Sequence, residues 1–278
     1  MTDGPVDALR EQAREWGRAL LAAPPWAGVS DRVTLLLVDP PAGLDDAPAT
    51  GGLTFWLTLD AEAARSLSPE YRTPLTSDRG VYERPRVPAG APRVALAVMT
   101  DEALHRLLQG TSRPSMEARW QARHSEAVSD RLRRAEQYAL RAGLLPDEAP
   151  ERVSRTLWLE AVTAARGLDG IETSPAGILA GAGEVTAALC RLACFEDGGA
   201  YPPAAHLRAA ARQTRLGRRI ATWLDDLPRA VGGDEAASRR VVSARDQVLE
   251  EARTVLGERY RDRHWLREPE AFTLRPPR

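Results

Sequence analysis

The sequence predicts an α+β protein, with a small N-terminal mixed sheet and its helices followed by an all-α helical bundle. Three observations carry that reading. The runs rich in β-type residues, Val33 to Val38, Leu53 to Leu59 and Arg93 to Met99, all fall before Gly110. Beyond Gly110 apolar residues recur at helical spacing and strand signals nearly vanish. Strands first and helices afterwards is the order of an α+β chain, and 278 residues suffice for about two domains with a sizeable core.

Taken in order, Val6 to Leu21 carries Val6, Leu9, Ala13, Trp16, Leu20 and Leu21 on one helical face, with Asp7 and Glu11 near its positive end. Pro24, Pro25 and Gly28 break the chain before the first strand. Asp60 reads as the N-cap of a short helix ending near Leu67. Residues 68–79 read as loop. Gly80 to Glu83 and Arg93 to Met99 read as strands joined by the Pro/Gly-rich turn Arg84 to Pro92. Thr100 caps a helix from Asp101 to Leu108.

In the second half the spacing predicts helices at Ser115–Ala127, Asp130–Arg141, Glu148–Arg166, Ala180–Phe195, Ala204–Gln213, Leu216–Leu224 and Asp234–Leu256. Gly143, Gly167, Gly170, Gly198-Gly199 and Gly232-Gly233 read as stops. Three parts are expected: residues 1–110 as the α+β domain, 111–258 as the bundle and 259–278 as a C-terminal tail.

A net charge of -1 gives no global attraction to nucleic acid or anionic membrane. The chain holds no lysine, so all 38 basic residues are arginine, a bias that suits a GC-rich genome. Any cationic contact to phosphate must therefore be a planar guanidinium. No apolar run approaches the ~20 residues of a membrane span. MTDGPVDALREQ has no signal-peptide pattern. Cys190 and Cys194, one helical turn apart, are badly placed for a disulfide and share no ligand spacing with His105, His124, His206 or His264. They read as buried thiols of a reducing, cytoplasmic protein.

The segment Leu35 to Leu59, LLLVDPPAGLDDAPATGGLTFWLTL, resembles the opening of a nucleotidyltransferase domain, the superfamily that includes aminoglycoside and lincosamide nucleotidyltransferases. In that family a strand enters a Gly-Ser turn, some branches add a Gly-Leu-Asp-Asp-like loop, and an Asp-x-Asp pair begins a strand of the form Leu-Trp-Leu. Here the loop is Gly43 to Asp46 and the strand is Leu53 to Leu59. The Gly-Ser position reads Asp39-Pro40. The Asp-x-Asp position reads Gly52-Leu53-Thr54 when anchored on Phe55-Trp56-Leu57, or Thr50-Gly51-Gly52 when counted from Asp46. The later strand that supplies a third family carboxylate is placed at Arg93 to Met99, which has no acid. Trp120 to Glu136 is similar to a family segment rich in tyrosine or arginine, and Tyr201-Pro202 matches a Tyr-Pro turn between helices.

The resemblance implies a nucleotidyltransferase-like protein with a degenerate centre at Asp39, Pro40, Gly52 and Thr54. Nucleotidyl transfer relies on metal ions that bridge phosphate oxygens, and Mg²⁺ requires oxygen ligands that Gly and Thr side chains do not replace. Pro40 has no N–H to offer a phosphate, and Asp39 repels one. The expectation is no catalytic residue, no metal and no cofactor, with function through a ligand in an interdomain cleft, a protein partner or a homodimer. The alternative is an active enzyme that uses Mg²⁺ with ATP or another NTP on a small hydroxylated acceptor, such as an aminoglycoside-type antibiotic. In that case Asp39, Asp45 and Asp46 must have taken over the metal; otherwise Asp45 and Asp46 are turn residues.

Other candidates read as structural. Gly177, Gly181 and Gly183 lack the preceding strand and the Lys-Ser/Thr of a phosphate loop, so helix packing or a turn is the expectation. His124 and Glu126 have no nucleophile spaced to meet them. Arg212, Arg215, Arg218 and Arg219, and the tail arginines interleaved with Tyr260, His264 and Trp265, have the residue types of a single-strand site. The interspersed acids make a solvated, ion-paired face the better reading, so nucleic acid is disfavoured. The tail Arg259 to Phe272 is the expected surface for association, against docking on its own body.

Overall fold

The computed structural model describes residues 5–39, 52–67, 81–83, 93–167 and 175–273. It divides into two compact units, Met1–Leu144 and Leu145–Arg278.

The first unit holds α1 (Pro5–Ala22), a 3-10 turn (Trp26–Val29), β1 (Val33–Asp39), β2 (Gly52–Leu59), α2 (Ala61–Ser66), β3 (Val81–Glu83) and β4 (Arg93–Thr100). These are followed by α3 (Asp101–Gln109), α4 (Arg113–His124), β5 (Glu126–Asp130) and α5 (Arg134–Gly143). The sheet order is β3-β4-β2-β1-β5. β2 runs parallel to β4, and the other pairs are antiparallel. An α+β architecture with a helical second half is what the sequence predicts.

Helices cover both faces of this sheet, which explains why β1 and β2 read as nearly unbroken apolar runs. On one face Leu35, Leu53, Phe55, Leu57, Leu96 and Val98 pack with Ala13 of α1 and Ala63 of α2. Trp16 stacks on Phe55 at 4.6 Å between ring centroids. On the other face Leu36, Val38 and Trp56 pack with Leu104 and Leu108 of α3, Ala118 and Ala122 of α4, and Tyr138 and Ala142 of α5.

The second unit comprises α6 (Ala149–Arg166), α7 (Pro175–Gly198), α8 (Ala204–Gln213), α9 (Arg215–Arg219), α10 (Ala221–Val231), α11 (Glu235–Ser243), α12 (Arg245–Tyr260), α13 (His264–Arg267) and α14 (Glu270–Thr273). From Val185 to Phe195 nearly every residue of α7 is buried, the pattern of a helix surrounded by others. Gly199, at φ +69°, ends it, and its N–H reaches Phe195 O at 2.7 Å. Gly181 and Gly183 lie inside α7, not in a turn.

Four expectations are corrected. The boundary at residue 110 falls instead after Leu144, because α3, α4 and α5 cover the sheet and β5 extends it. Residues 126–130 are a strand, not helix or connector: Leu37 pairs with Glu126 and Thr34 with Asp130. Only the exposed edge of β1 could dictate that, since EAVSD has little strand character of its own. The helix expected over Asp234–Leu256 is two, α11 and α12, meeting at Ala244. The tail is not a separate part: α12 runs to Tyr260, and Tyr260, Trp265 and Leu266 are buried in the second unit. The loop expected over 68–79, Gly80, the turn over 84–92 and the stop at Gly170 lie outside the described residues. Among the described residues no helix is long and apolar enough to cross a membrane.

Candidate functional site

Two ends of the sheet carry chemistry. At the first, β1 ends and β2 begins. Asp39 pairs through its backbone with Thr54 across a bulge after Leu37. On its other side β2 aligns with β4, Gly52 beside Arg93 and Thr54 beside Ala95. Side chains two apart on a strand share a face, and partners in register do too. Gly52, Thr54 and Ala95 therefore lie on the face of Trp56 and Ala97. There Trp56 is buried and Ala97 is partly buried beneath α3 to α5, whereas Thr54 is half-buried and Ala95 is exposed. Pro40, Asp45 and Asp46 lie outside the described residues.

At the opposite end, where parallel strands β2 and β4 finish, sits a polar cluster that sequence reasoning missed. Asp60 follows β2 and caps α2, accepting from Glu62 N at 3.0 Å and Ala63 N at 2.7 Å. Its Oδ2 also accepts from Arg32 Nη2 at 3.0 Å and Arg134 Nη2 at 3.1 Å. Arg134 Nη1 lies 2.7 Å from Asp101 Oδ2. Tyr138 donates to Asp101 Oδ1 at 2.5 Å, and the Thr58 hydroxyl stands 2.9 Å from Tyr138 Oη. Burial opposes the charge on Asp60, but the Ala63 N–H and the two guanidinium groups outweigh it and hold the carboxyl below its ordinary value. Burial and the carboxylate of Asp101 push the Tyr138 phenol well above its usual range. Arg134 and Tyr138 stand four apart, one helical turn, which was the available signal. Asp60 and Thr100 were legible only as caps.

Each acid here is matched by a cation, so the cluster ties α2, α3 and α5 to the strand ends. Beside it His105 places its ring edge-on to Tyr138 at 5.6 Å, with Nε2 buried and without a hydrogen-bond partner among the described residues. Burial first, then Arg141, lower the pKa of His105 below 6.5, with Asp101 opposing them and Arg134 adding to the depression.

The remaining candidates resolve simply. His124 is exposed, stacks on Trp120 at 4.2 Å and bonds Trp120 O through Nδ1 at 2.8 Å. Glu126 pairs with Arg10 and Arg14 of α1, so the two do not form an acid–base couple. Cys190 and Cys194 are buried free thiols; burial pushes Cys190 up to about 12 and Cys194 higher still, which makes them inert. Arg212 pairs with Asp225, Arg215 with Glu258, Arg219 with Glu251, Arg263 with Glu151 and Arg267 with Asp262. In the helical unit Ser154 donates to the half-buried Glu196 and lies 3.5 Å from Tyr260 Oη. Among the described residues, no group of three or more His, Cys, Asp or Glu could hold a metal ion.

No family model and no curated protein matches this chain. Among solved structures it is similar to a nucleotidyltransferase-like protein from Exiguobacterium sibiricum. The identity is 12%, the match covers 91% of this chain and 81% of that one, and the TM-score is 0.38.

Proposed function

We propose that this chain is a nucleotidyltransferase-like protein whose catalytic centre has been lost, and that it acts by binding a ligand or a partner. One observation carries the reading. The described parts of the segment that resembles the family's opening, residues 35–39 and 52–59, lie in two adjacent antiparallel strands, and the positions aligned with its metal-binding acids, Gly52, Thr54 and a neighbour on β4 such as Ala95, hold no carboxylate. Without them those aligned positions offer a Mg²⁺ ion no carboxylate oxygen. Calorimetry of the full chain with ATP, with and without Mg²⁺, tests this. The reading expects no Mg²⁺-dependent nucleotide binding, and micromolar, Mg²⁺-dependent affinity overturns it.

The second reading, an active transferase acting on a small hydroxylated molecule, draws on one fact: the register brings Asp39 to Thr54 at the same sheet end. It requires Asp39, Asp45 and Asp46 to have taken over metal binding. Pyrophosphate release from any of the four nucleotides, abolished by Asp39→Asn, would favour it over the first.

A further inference from the structure

Arg119 is a buried guanidinium left half-used. It sits on α4 with no exposed surface. Its Nη1 donates to Ala142 O at 3.1 Å and Leu144 O at 2.7 Å, carbonyls at the end of α5. Its Nε and Nη2 are buried and have no acceptor among the described residues. Among the described residues no carboxylate pairs with it, and burial alone lowers its pKa.

The unused pair matters because Nε–H and Nη2–H are parallel donors along one edge of the planar guanidinium. That edge fits two oxygens of one carboxylate or phosphate. A buried charge without a counter-charge is costly, and a buried donor without an acceptor adds to the cost. An internal water could satisfy a donor but would not neutralise the charge.

We infer that the Nε–Nη2 edge of Arg119 is the seat of a compact oxyanion, of carboxylate or phosphate type, held through two of its oxygens. The end of α5 that Arg119 grips from the other side runs from buried Ala142 to the surface. Nothing lies within 4 Å of where a Gly143 side chain would stand, and Leu144 is 71% exposed. The inference does not depend on whether nucleotidyl transfer occurs at the β1–β2 sheet end.

The test uses the full chain and simple anions. The Nε–Hε resonance of Arg119 is followed by NMR during titration with acetate and with inorganic phosphate, at constant ionic strength against chloride. Thermal midpoints are recorded alongside. One of the two anions should give a saturable shift and a raised midpoint, because a ligand bound only by the native state stabilises it by mass action. The responsive anion distinguishes carboxylate from phosphate. Arg119→Lys keeps the charge but loses the paired edge, and should weaken binding by about tenfold or more. Arg119→Met should abolish it. If neither anion acts beyond chloride, or if the stabilisation survives in Arg119→Met, the inference is wrong. Should Arg119→Met fail to fold, the wild-type resonance and the lysine variant still decide.

Discussion

Tyr138 donates to Asp101 at 2.5 Å, joining the middle of α5 to the first residue of α3. With the phenolic proton committed there, the Thr58 hydroxyl at 2.9 Å must be the donor to Tyr138 Oη. One buried ring thus connects the end of β2 to two helices.

Tyr138→Phe keeps the ring's packing and removes that junction. It leaves the wholly buried Thr58 hydroxyl and one oxygen of Asp101 short of a partner. A loss of about 1–3 kcal/mol is expected, read as a lower urea midpoint with an unchanged slope. An unchanged midpoint would mean that water replaces the hydroxyl.

His105 makes the first unit acid-sensitive. Its folded pKa lies below the ordinary 6.5, from burial and the guanidinium groups of Arg141 and Arg134 against the opposing Asp101. Below pH 6.5 the unfolded chain therefore takes up the proton first. The stability His105 contributes is complete above 6.5 and is lost as pH falls through the folded value. Thermal midpoints measured between pH 7 and 5 should fall less steeply in His105→Gln than in the wild type.

Glu196 has the opposite sign. Burial raises its carboxyl above 4.5, although Ser154 and Arg259 pull it down. The unfolded chain releases the proton first, so this contribution is complete below about pH 4.5 and is lost as pH rises through the folded pKa. Glu196→Gln keeps an acceptor for Ser154 and removes the charge. It should melt higher than the wild type at pH 7 and converge with it near pH 4; a lower midpoint at pH 7 would show that Arg259 compensates the charge.

Trp265 anchors the end of the chain. It is buried, stands against Tyr260 at 5.3 Å and donates to Glu151 at 3.1 Å. Trp265→Ala should cost about 3–5 kcal/mol, measured by chemical denaturation. If that variant keeps its stability but loses a dimer in light scattering, the tail acts between molecules instead.

The parts of the fold that sequence made legible are those decided locally. β1, β2 and β4 emerge within one or two residues of their expected bounds, and Asp60 and Thr100 cap α2 and α3 as read. Chain-local chemistry suffices for these: β-type runs, and side chains that bond the next turn. β5 was hidden because its strand state comes from β1, some ninety residues away along the chain. The division at Ala244 was hidden because alanine favours helix and gives no stop signal. The charged cluster was hidden for a related reason: Arg32, Asp60, Asp101, Arg134 and Tyr138 meet only once the sheet has formed.

The position of β5 also bears on synthesis. β1 emerges early and pairs with β2, yet its other edge waits for residues 126–130. Until then a nascent chain presents Val33 to Val38, an apolar strand with unpaired N–H and C=O groups, to whatever surrounds it. Such an edge templates aggregation, and closing it is a late, long-range step. A fragment cut at residue 110 would never take that step. It should precipitate where one ending at residue 144 stays in solution.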